Sequence, residues 1–236
     1  LFDFLRDRQG TVFVYNDQEE LRDLSKGLPN KITYGTNESD VKGKIVRATP
    51  FLSVQITSAK NIDIIHSQLV GDYNCPNILA AVAVGQFFKV SAEKIKAAIE
   101  QYTPTNSRSQ LIRSGTNEIV MDAYNANPSS MALAIKNFAA QSHPNKILLL
   151  GSMAELGDES LKEHQHIIEL IQSYNWNAVA LVGKEFENIS HPYLQFSDSA
   201  AAGEWLKSFA PNNSAILIKG SRSTKMEKAL EILNQE

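Results

Sequence analysis

The apolar positions of the chain change rhythm part-way along. Leu1 to Arg8 reads as a helix, and Thr11-Val12-Phe13-Val14-Tyr15, β-branched and aromatic, stops at Asn16-Asp17 as a strand stops at a turn. Between Lys31 and Val70 the runs are short and alternate apolar with polar, as in Ile45-Val46-Arg47 and Leu52-Ser53-Val54-Gln55-Ile56. That period of two predicts half-buried strands in an antiparallel patch. Asn77 to Phe88 is an apolar helix entered through Asn74 and Pro76, a cap and a first-turn proline. Ser91 opens a second helix, on which Ile95, Ala98, Ile99 and Tyr102 fall at helical spacing until Pro104.

Beyond Pro104 strands and helices alternate. Ile119-Val120-Met121, Ile147 to Leu150, Ala178 to Val182 and Ala215 to Ile218 are continuous apolar strands, separated by helical patterns over 129–140, 161–173, 199–209 and 223–233. This order predicts an α/β fold with a mainly parallel sheet covered by helices on both faces. A domain boundary is therefore placed between 1–104 and 105–236. Asn127-Pro128 supplies a cap and a first-turn proline, and Ser160-Leu161-Lys162-Glu163 has the form of a capping box.

Composition narrows the class. Lys plus Arg number 23 against 26 Asp plus Glu, a net charge of -3, which leaves no basic excess for neutralising nucleic-acid phosphates. The longest apolar run, Ile78 to Phe88, is shorter than the ~18 to 20 residues that span a bilayer. Cys75 is the sole cysteine, so no intrachain disulfide forms, and no signal-peptide pattern lies near Leu1. A cytoplasmic protein is expected. The chain opens at Leu1 within an apolar and charged pattern, which points to a fragment with an upstream portion removed.

Ligands of an open α/β sheet bind beyond the carboxyl ends of its strands, so three segments carry the candidate chemistry. In Met121-Asp122-Ala123-Tyr124-Asn125-Ala126-Asn127-Pro128 the Asp122 carboxylate suits a ribose diol and Asn125 and Asn127 suit a polar ligand, although a plain turn with an Asn cap accounts for the same residues. Lys219-Gly220-Ser221-Arg222 joins cationic side chains and a glycine to an expected helix start, which suits a carboxylate or phosphate; a glycine turn with solvated charges is the competing account. Gly151-Ser152-Met153-Ala154-Glu155-Leu156-Gly157 carries one carboxylate on what could equally be a connecting loop.

Other signals are set aside. His164 and His166 are two apart, not the four of a His-Glu-x-x-His zinc site, and are expected on a surface helix. Gly43-Lys44 and Gly183-Lys184 lack the spacing and the following Ser or Thr of a phosphate loop. No Gly-x-Ser-x-Gly elbow occurs, and no base is evident for Cys75.

In order along the chain, Gly71-Asp72-Tyr73-Asn74-Cys75-Pro76-Asn77-Ile78-Leu79-Ala80-Ala81, Arg108, the Asp122 to Met131 segment, Leu150 to Gly157 with His164, and Lys219-Gly220-Ser221-Arg222 resemble the motif series of the Mur ligases. Tyr-Asn-Ala-Asn-Pro with the following Ser-Met, and Lys-Gly-Ser-Arg, are most similar to the member that adds D-alanyl-D-alanine, and the likeness covers essentially the whole chain.

The resemblance implies an ATP-dependent amide ligase of peptidoglycan synthesis acting on UDP-N-acetylmuramoyl-tripeptide and D-alanyl-D-alanine through an acyl phosphate, with ATP and Mg2+. It implies the latter part of a central ATPase-type α/β domain followed by a whole Rossmann-like C-terminal domain. By motif, Asn74 and Asn77 match the adenine-holding asparagines, Arg108 a linker arginine near the ATP phosphates, and Asp122 the ribose-binding aspartate. Tyr124, Asn125, Asn127, Lys219, Ser221 and Arg222 match positions facing the dipeptide and the acyl end, and Arg108, Lys219 and Arg222 supply catalytic charge. The family's phosphate loop, magnesium ligands and modified lysine fall upstream of Leu1, so this chain alone is expected not to ligate. A monomer is expected, with no metal ligands in this portion. Two other readings stand beside it: a different amide ligase of the superfamily, such as a folylpolyglutamate synthase-like enzyme, and a noncatalytic nucleotide- or peptide-binding module.

Overall fold

The computed structural model describes residues 1–58, 62–105 and 107–234, which form two compact units, Leu1–Thr103 and Pro104–Glu236.

The first unit contains α1 (Phe2–Asp7), β1 (Thr11–Tyr15), α2 (Glu19–Leu24), β2 (Asn30–Gly35), β3 (Val41–Arg47), β4 (Ser53–Ile56), β5 (Ile64–His66), α3 (Cys75–Phe87) and α4 (Ala92–Gln101). Its strands lie in the order β1-β2-β3-β4-β5. The antiparallel patch expected between Lys31 and Val70 is correct for β3-β4-β5 but not for β2, which pairs parallel with both β1 and β3. A parallel β1-β2 pair needs a crossover, and the six-residue α2 supplies it; so short and acidic a segment carries little helical periodicity to read. Alternation along β1 divides the core. Val12 and Val14 pack with Leu28 and the partly buried Phe2, Leu5 and Leu21 on one face. Phe13 joins the other face, where Val41, Val54 and Ile65 meet Ile78, Leu79 and Val82 of α3 and Ile95 of α4. Each such side chain removed from water contributes about 1.5–3 kcal/mol.

Ser91 caps α4 by accepting from the Lys94 N–H, as the sequence suggested. Asn74 occupies the N-cap of α3 without capping it by side chain; its Nδ2 donates instead to the Val70 carbonyl at 2.8 Å. Cys75 is buried, and burial together with the Asp17 and Asp72 charges pushes its thiol up to about 11, which keeps it protonated at neutral pH.

The second unit contains β6 (Gln110–Ser114), β7 (Asn117–Asp122), α5 (Pro128–Ala139), β8 (Lys146–Gly151), α6 (Ser160–Gln172), β9 (Ala178–Val182), β10 (Leu194–Phe196), α7 (Ser199–Phe209), β11 (Ala215–Lys219) and α8 (Glu227–Leu233). Its sheet has the order β10-β9-β8-β11-β7-β6 and is parallel except for the β6 edge. The four strands read from apolar runs are β7, β8, β9 and β11, all buried on both faces. Ile119, Met121, Ile147, Leu149, Ile216 and Ile218 pack against Ala202, Leu206 and Ala229 of α7 and α8. The alternate residues, such as Leu148, Leu150 and Leu217, point to the opposite face and are equally buried, which leaves that face to α5 and α6.

Three local expectations are corrected. Ser160 does not form a capping box: a 3-10 turn over Gly157–Glu159 precedes α6, its N-cap is Glu159, and no side chain caps it. The last helix begins at Glu227 rather than 223, because Arg222–Thr224 form a 3-10 turn and Lys225 takes a left-handed conformation. His164 is not on the surface but fully buried. Asn127, by contrast, caps α5 as expected, in a reciprocal box with Ser130, with Pro128 in the first turn.

Candidate functional site

The strand order sets the site of the second unit. β11 lies between β7 and β8, with Lys219 in register with Asp122 on one side and Leu150 on the other. The segments singled out after three separate strands thus emerge side by side at one edge of the sheet.

At its centre Lys219 Nζ lies 2.6 Å from Asp122 Oδ2 and 3.4 Å from the Asn125 carbonyl oxygen. The lysine side chain is 2% exposed and the aspartate 14%. The two residues were expected to meet an anion and a ribose; here they meet each other. Asp122 Oδ1 accepts the Ser109 N–H at 3.1 Å, so both carboxylate oxygens are held. Oδ1 also accepts from Ser109 Oγ at 3.5 Å, so Oδ2 is the oxygen with a second lone-pair direction for a ligand hydroxyl.

Two residues after Asp122, the exposed Tyr124 ring meets two cations. The Arg108 guanidinium sits 3.6 Å and that of Arg222 5.2 Å from the Tyr124 ring centroid, the geometry of a cation-π contact. Arg108 reaches it because the Ser107 carbonyl accepts the N–H groups of both Ala123 and Tyr124, at 2.8 and 3.1 Å. Ser107 and Ser109 both hold left-handed backbone conformations, with φ of 57° and 48°, so the chain is sharply turned on either side of Arg108. Neither guanidinium forms an ion pair with a described residue. Ser107, Ala123, Tyr124, Arg222 and Glu227 line an open cleft of about 430 Å³.

Asn125, Asn127 and Ser221 are not among the residues that line this cleft, and their roles differ. Asn125 Oδ1 accepts the Ala126 N–H and Asn127 Oδ1 that of Ser130, which leaves the Nδ2 donors of both for a ligand. Ser221 is fully buried, and its Oγ donates to the Ser152 carbonyl at 2.7 Å, so its part is to hold the turn. The sheet edge is tight beneath it. A Cβ on Gly220 would come within 3.0 Å of Gly151 Cα and 2.8 Å of Met226, and one on Gly151 within 2.5 Å of Thr224 Oγ1, so both positions require glycine for close approach.

Sequence reading missed Ser107, Ser109 and Glu227, none of which belongs to a polar run after an apolar strand. It also misplaced His164, although the signal was present: His164 lies three, four and seven residues before Ile167, Ile168 and Ile171, on the apolar stripe of α6.

Asn74 and Asn77 belong to the first unit, at the start of α3. Asn77 Nδ2 donates to Asn74 Oδ1 at 2.9 Å, and Asn77 borders an apolar groove of about 350 Å³ with Leu69, Ile78, Ala81, Ile99 and Tyr102. Among the described residues no group of three or more His, Cys, Asp or Glu side chains could hold a metal ion, and no helix is long and apolar enough to cross a membrane.

The second unit is an open, mainly parallel α/β sheet in which polar segments gather beyond the carboxyl ends of adjacent strands, where ligands of such sheets bind. Comparison with known proteins makes the class specific. Residues 1–85 match the Mur ligase middle domain and residues 107–222 the Mur ligase, glutamate ligase domain. A UDP-N-acetylmuramoyl-tripeptide--D-alanyl-D-alanine ligase of Buchnera aphidicola subsp. Acyrthosiphon pisum is 36% identical over 174 residues, covering 71% of this chain and 38% of the relative. The crystal structure of MurF from Acinetobacter baumannii superposes with a TM-score of 0.79 at 26% identity, over 95% of this chain and 52% of that one. MurF from Thermotoga maritima, solved in complex with ADP, gives the same TM-score at 19% identity over 95% of this chain and 53% of that one, a likeness of fold. The chain belongs to the Mur ligase family. It spans about half the length of these solved structures and 38% of the curated relative.

Proposed function

We propose that this chain provides the dipeptide-binding and adenine-binding parts of an ATP-dependent ligase that joins D-alanyl-D-alanine to UDP-N-acetylmuramoyl-tripeptide, a cytoplasmic step of peptidoglycan precursor synthesis. The observation that carries the reading is the pair of guanidinium groups without an ion-pair partner among the described residues, Arg108 and Arg222, both set on the Tyr124 ring, with Tyr124 and Arg222 lining the cleft. Stacking orients each planar fork and leaves its N–H edges for a carboxylate or phosphate. The names of the relatives supply the substrates: a dipeptide with a free carboxylate and a free amine, which accepts the acyl group, and a tripeptide acyl donor whose carboxylate must be activated.

In this reaction the dipeptide amine attacks the acyl phosphate of the tripeptide, a C–N bond forms, the C–O bond to phosphate breaks and the amine loses its proton. Negative charge builds on the acyl oxygens before phosphate leaves. Arg108 and Arg222 supply fixed positive charge against it. Asn125 and Asn127 donate to the dipeptide through Nδ2, and Asp122 accepts from the ribose hydroxyls of ATP while Lys219 and Ser109 hold it in place. Lys219, being buried, acts through Asp122 rather than on the ligand. In the first unit the groove bordered by Asn77 offers what adenine requires, apolar walls with an amide at the rim. Among the described residues no cluster of side chains could hold magnesium. The 236 residues also lack a Gly-Lys-Ser/Thr phosphate loop, so the chain by itself binds substrates without ligating them.

Titrating the chain with D-alanyl-D-alanine while recording amide and arginine side-chain NMR signals tests the reading. Saturable shifts are expected at Tyr124, Asn125 and Arg222. Shifts elsewhere, or none, would contradict it.

A further inference from the structure

His164 is a buried histidine that the reaction above does not use. Its ring lies edge-on to Phe186 at 4.9 Å. Nδ1 is 2.7 Å from the Ser160 carbonyl oxygen and Nε2 is 2.9 Å from the Met153 backbone nitrogen. A carbonyl only accepts and an N–H only donates, so Nδ1 carries the proton and Nε2 is the acceptor. A side chain of α6 thereby takes a backbone donor from the segment after β8, where Met153 is itself buried at 2% exposure.

The contacts continue without a gap. Ser152, next to Met153, donates its N–H to the Val182 carbonyl at 2.8 Å, and its own carbonyl accepts twice from Ser221, from N–H at 3.1 Å and from Oγ at 2.7 Å. Ser221 in turn braces the next turn of chain, through Ser223 Oγ at 2.9 Å and through its carbonyl, which accepts from Thr224 Oγ1 at 2.7 Å. Arg222 lies inside that braced turn.

We propose that His164 is a positioning residue for the dipeptide cleft. By fixing Met153, and with it the Ser152 carbonyl, it sets the Ser221 turn and the aim of Arg222 at Tyr124. The inference deepens the proposed function and rests on it for the identity of the ligand. Packing alone does not account for an imidazole here: an aliphatic side chain beside Ile167 and Ile168 would fill the space without the cost of burying two polar nitrogens. What the imidazole adds is an acceptor facing the loop and a donor facing its own helix, which ties the loop to α6 in one orientation.

The test compares His164→Gln with His164→Asn in the whole 236-residue chain. Glutamine carries its Oε1 to the region of Nε2 and keeps an acceptor for the Met153 N–H. Asparagine reaches only the region of Nδ1, keeps the donor to Ser160 and loses Met153. Hydrogen exchange of the Met153 and Ser221 amides, the ring-current shift of the Arg222 Nε–H imposed by Tyr124, and D-alanyl-D-alanine affinity are measured in each. In the asparagine variant both amides are expected to exchange at least about tenfold faster, with the ring-current shift lost and the dissociation constant raised about tenfold. The glutamine variant is expected to stay within about twofold of the parent in all three. Unchanged Ser221 and Arg222 signals in the asparagine variant would overturn the proposal. So would equal loosening of the whole second unit by both substitutions, the behaviour of a histidine that only packs. A parent chain that fails to bind the dipeptide contradicts the substrate reading, while exchange and ring-current shift still decide the relay.

Discussion

Lys219 and Asp122, at the ends of neighbouring parallel strands and 97 residues apart in sequence, form an ion pair of 2.6 Å that is almost wholly shielded from water. Removing one member strands the other in a medium that solvates it poorly, whereas removing both does not. Lys219→Met is therefore expected to destabilise the second unit by about 3 kcal/mol, and Lys219→Met with Asp122→Leu to recover more than half of that loss. Both tryptophans, Trp176 and Trp205, belong to this unit, so urea unfolding followed by tryptophan fluorescence reports it separately.

Gly220 allows β11 to pass against Gly151 and the turn that carries Arg222. Gly220→Ala places a methyl group against backbone as well as against Thr224 and Met226, and overpacking of this kind costs about 1–3 kcal/mol. The same fluorescence measurement is expected to show that loss, and dipeptide affinity to fall with it because the displaced turn contains Arg222.

The role proposed for the two arginines is that of planar forks rather than point charges. Arg222→Lys keeps the charge but loses the bidentate edge and the stacking on Tyr124, so it is expected to weaken D-alanyl-D-alanine binding nearly as much as Arg222→Ala, by about tenfold or more. Calorimetric titration of the two variants checks this. Equal affinity of the lysine variant and the parent would show that charge alone suffices.

Asp17 contributes to the acid response of the first unit. Burial, the largest influence on its carboxyl, pulls the pKa upward, but donors from the backbone and side chains of Thr36 and Asn37, at 2.6 to 3.0 Å, together outweigh it and hold the carboxyl below its ordinary value. A folded-state pKa below the unfolded one gives stability that is present above the unfolded pKa and lost as pH falls through the folded one. The protection of the Thr36 amide relative to its intrinsic exchange rate is expected to fall below about pH 4 in the parent chain. In Asp17→Asn that protection is expected to be lower at neutral pH and unchanged over the acid range.

Much of the second unit is legible in sequence because strands buried on both faces must be apolar without interruption, as Ile147 to Leu150 and Ala215 to Ile218 are. Caps such as Asn127-Pro128 are legible because they act within one turn of chain. The three-residue β10 and the edge strand β6 carry too few buried positions for a period to show. Ser160 followed by Glu163 fails as a box because the preceding 3-10 turn already occupies the helix entry, a tertiary outcome that four residues cannot announce. The cluster of site residues follows from strand order: sequence indicates that Asp122 and Lys219 end strands, but only the placement of β11 beside β7 makes them partners.

Phosphate release from ATP by the complete gene product carrying this chain, given UDP-N-acetylmuramoyl-tripeptide with and without D-alanyl-D-alanine, beside the 236-residue chain alone, tests the proposed ligase activity. Release that requires the dipeptide and yields the pentapeptide product is expected from the complete protein, and none from the chain alone. A folded, complete protein that releases no phosphate with these substrates, or releases it only with a different amino-acid acceptor, would contradict it.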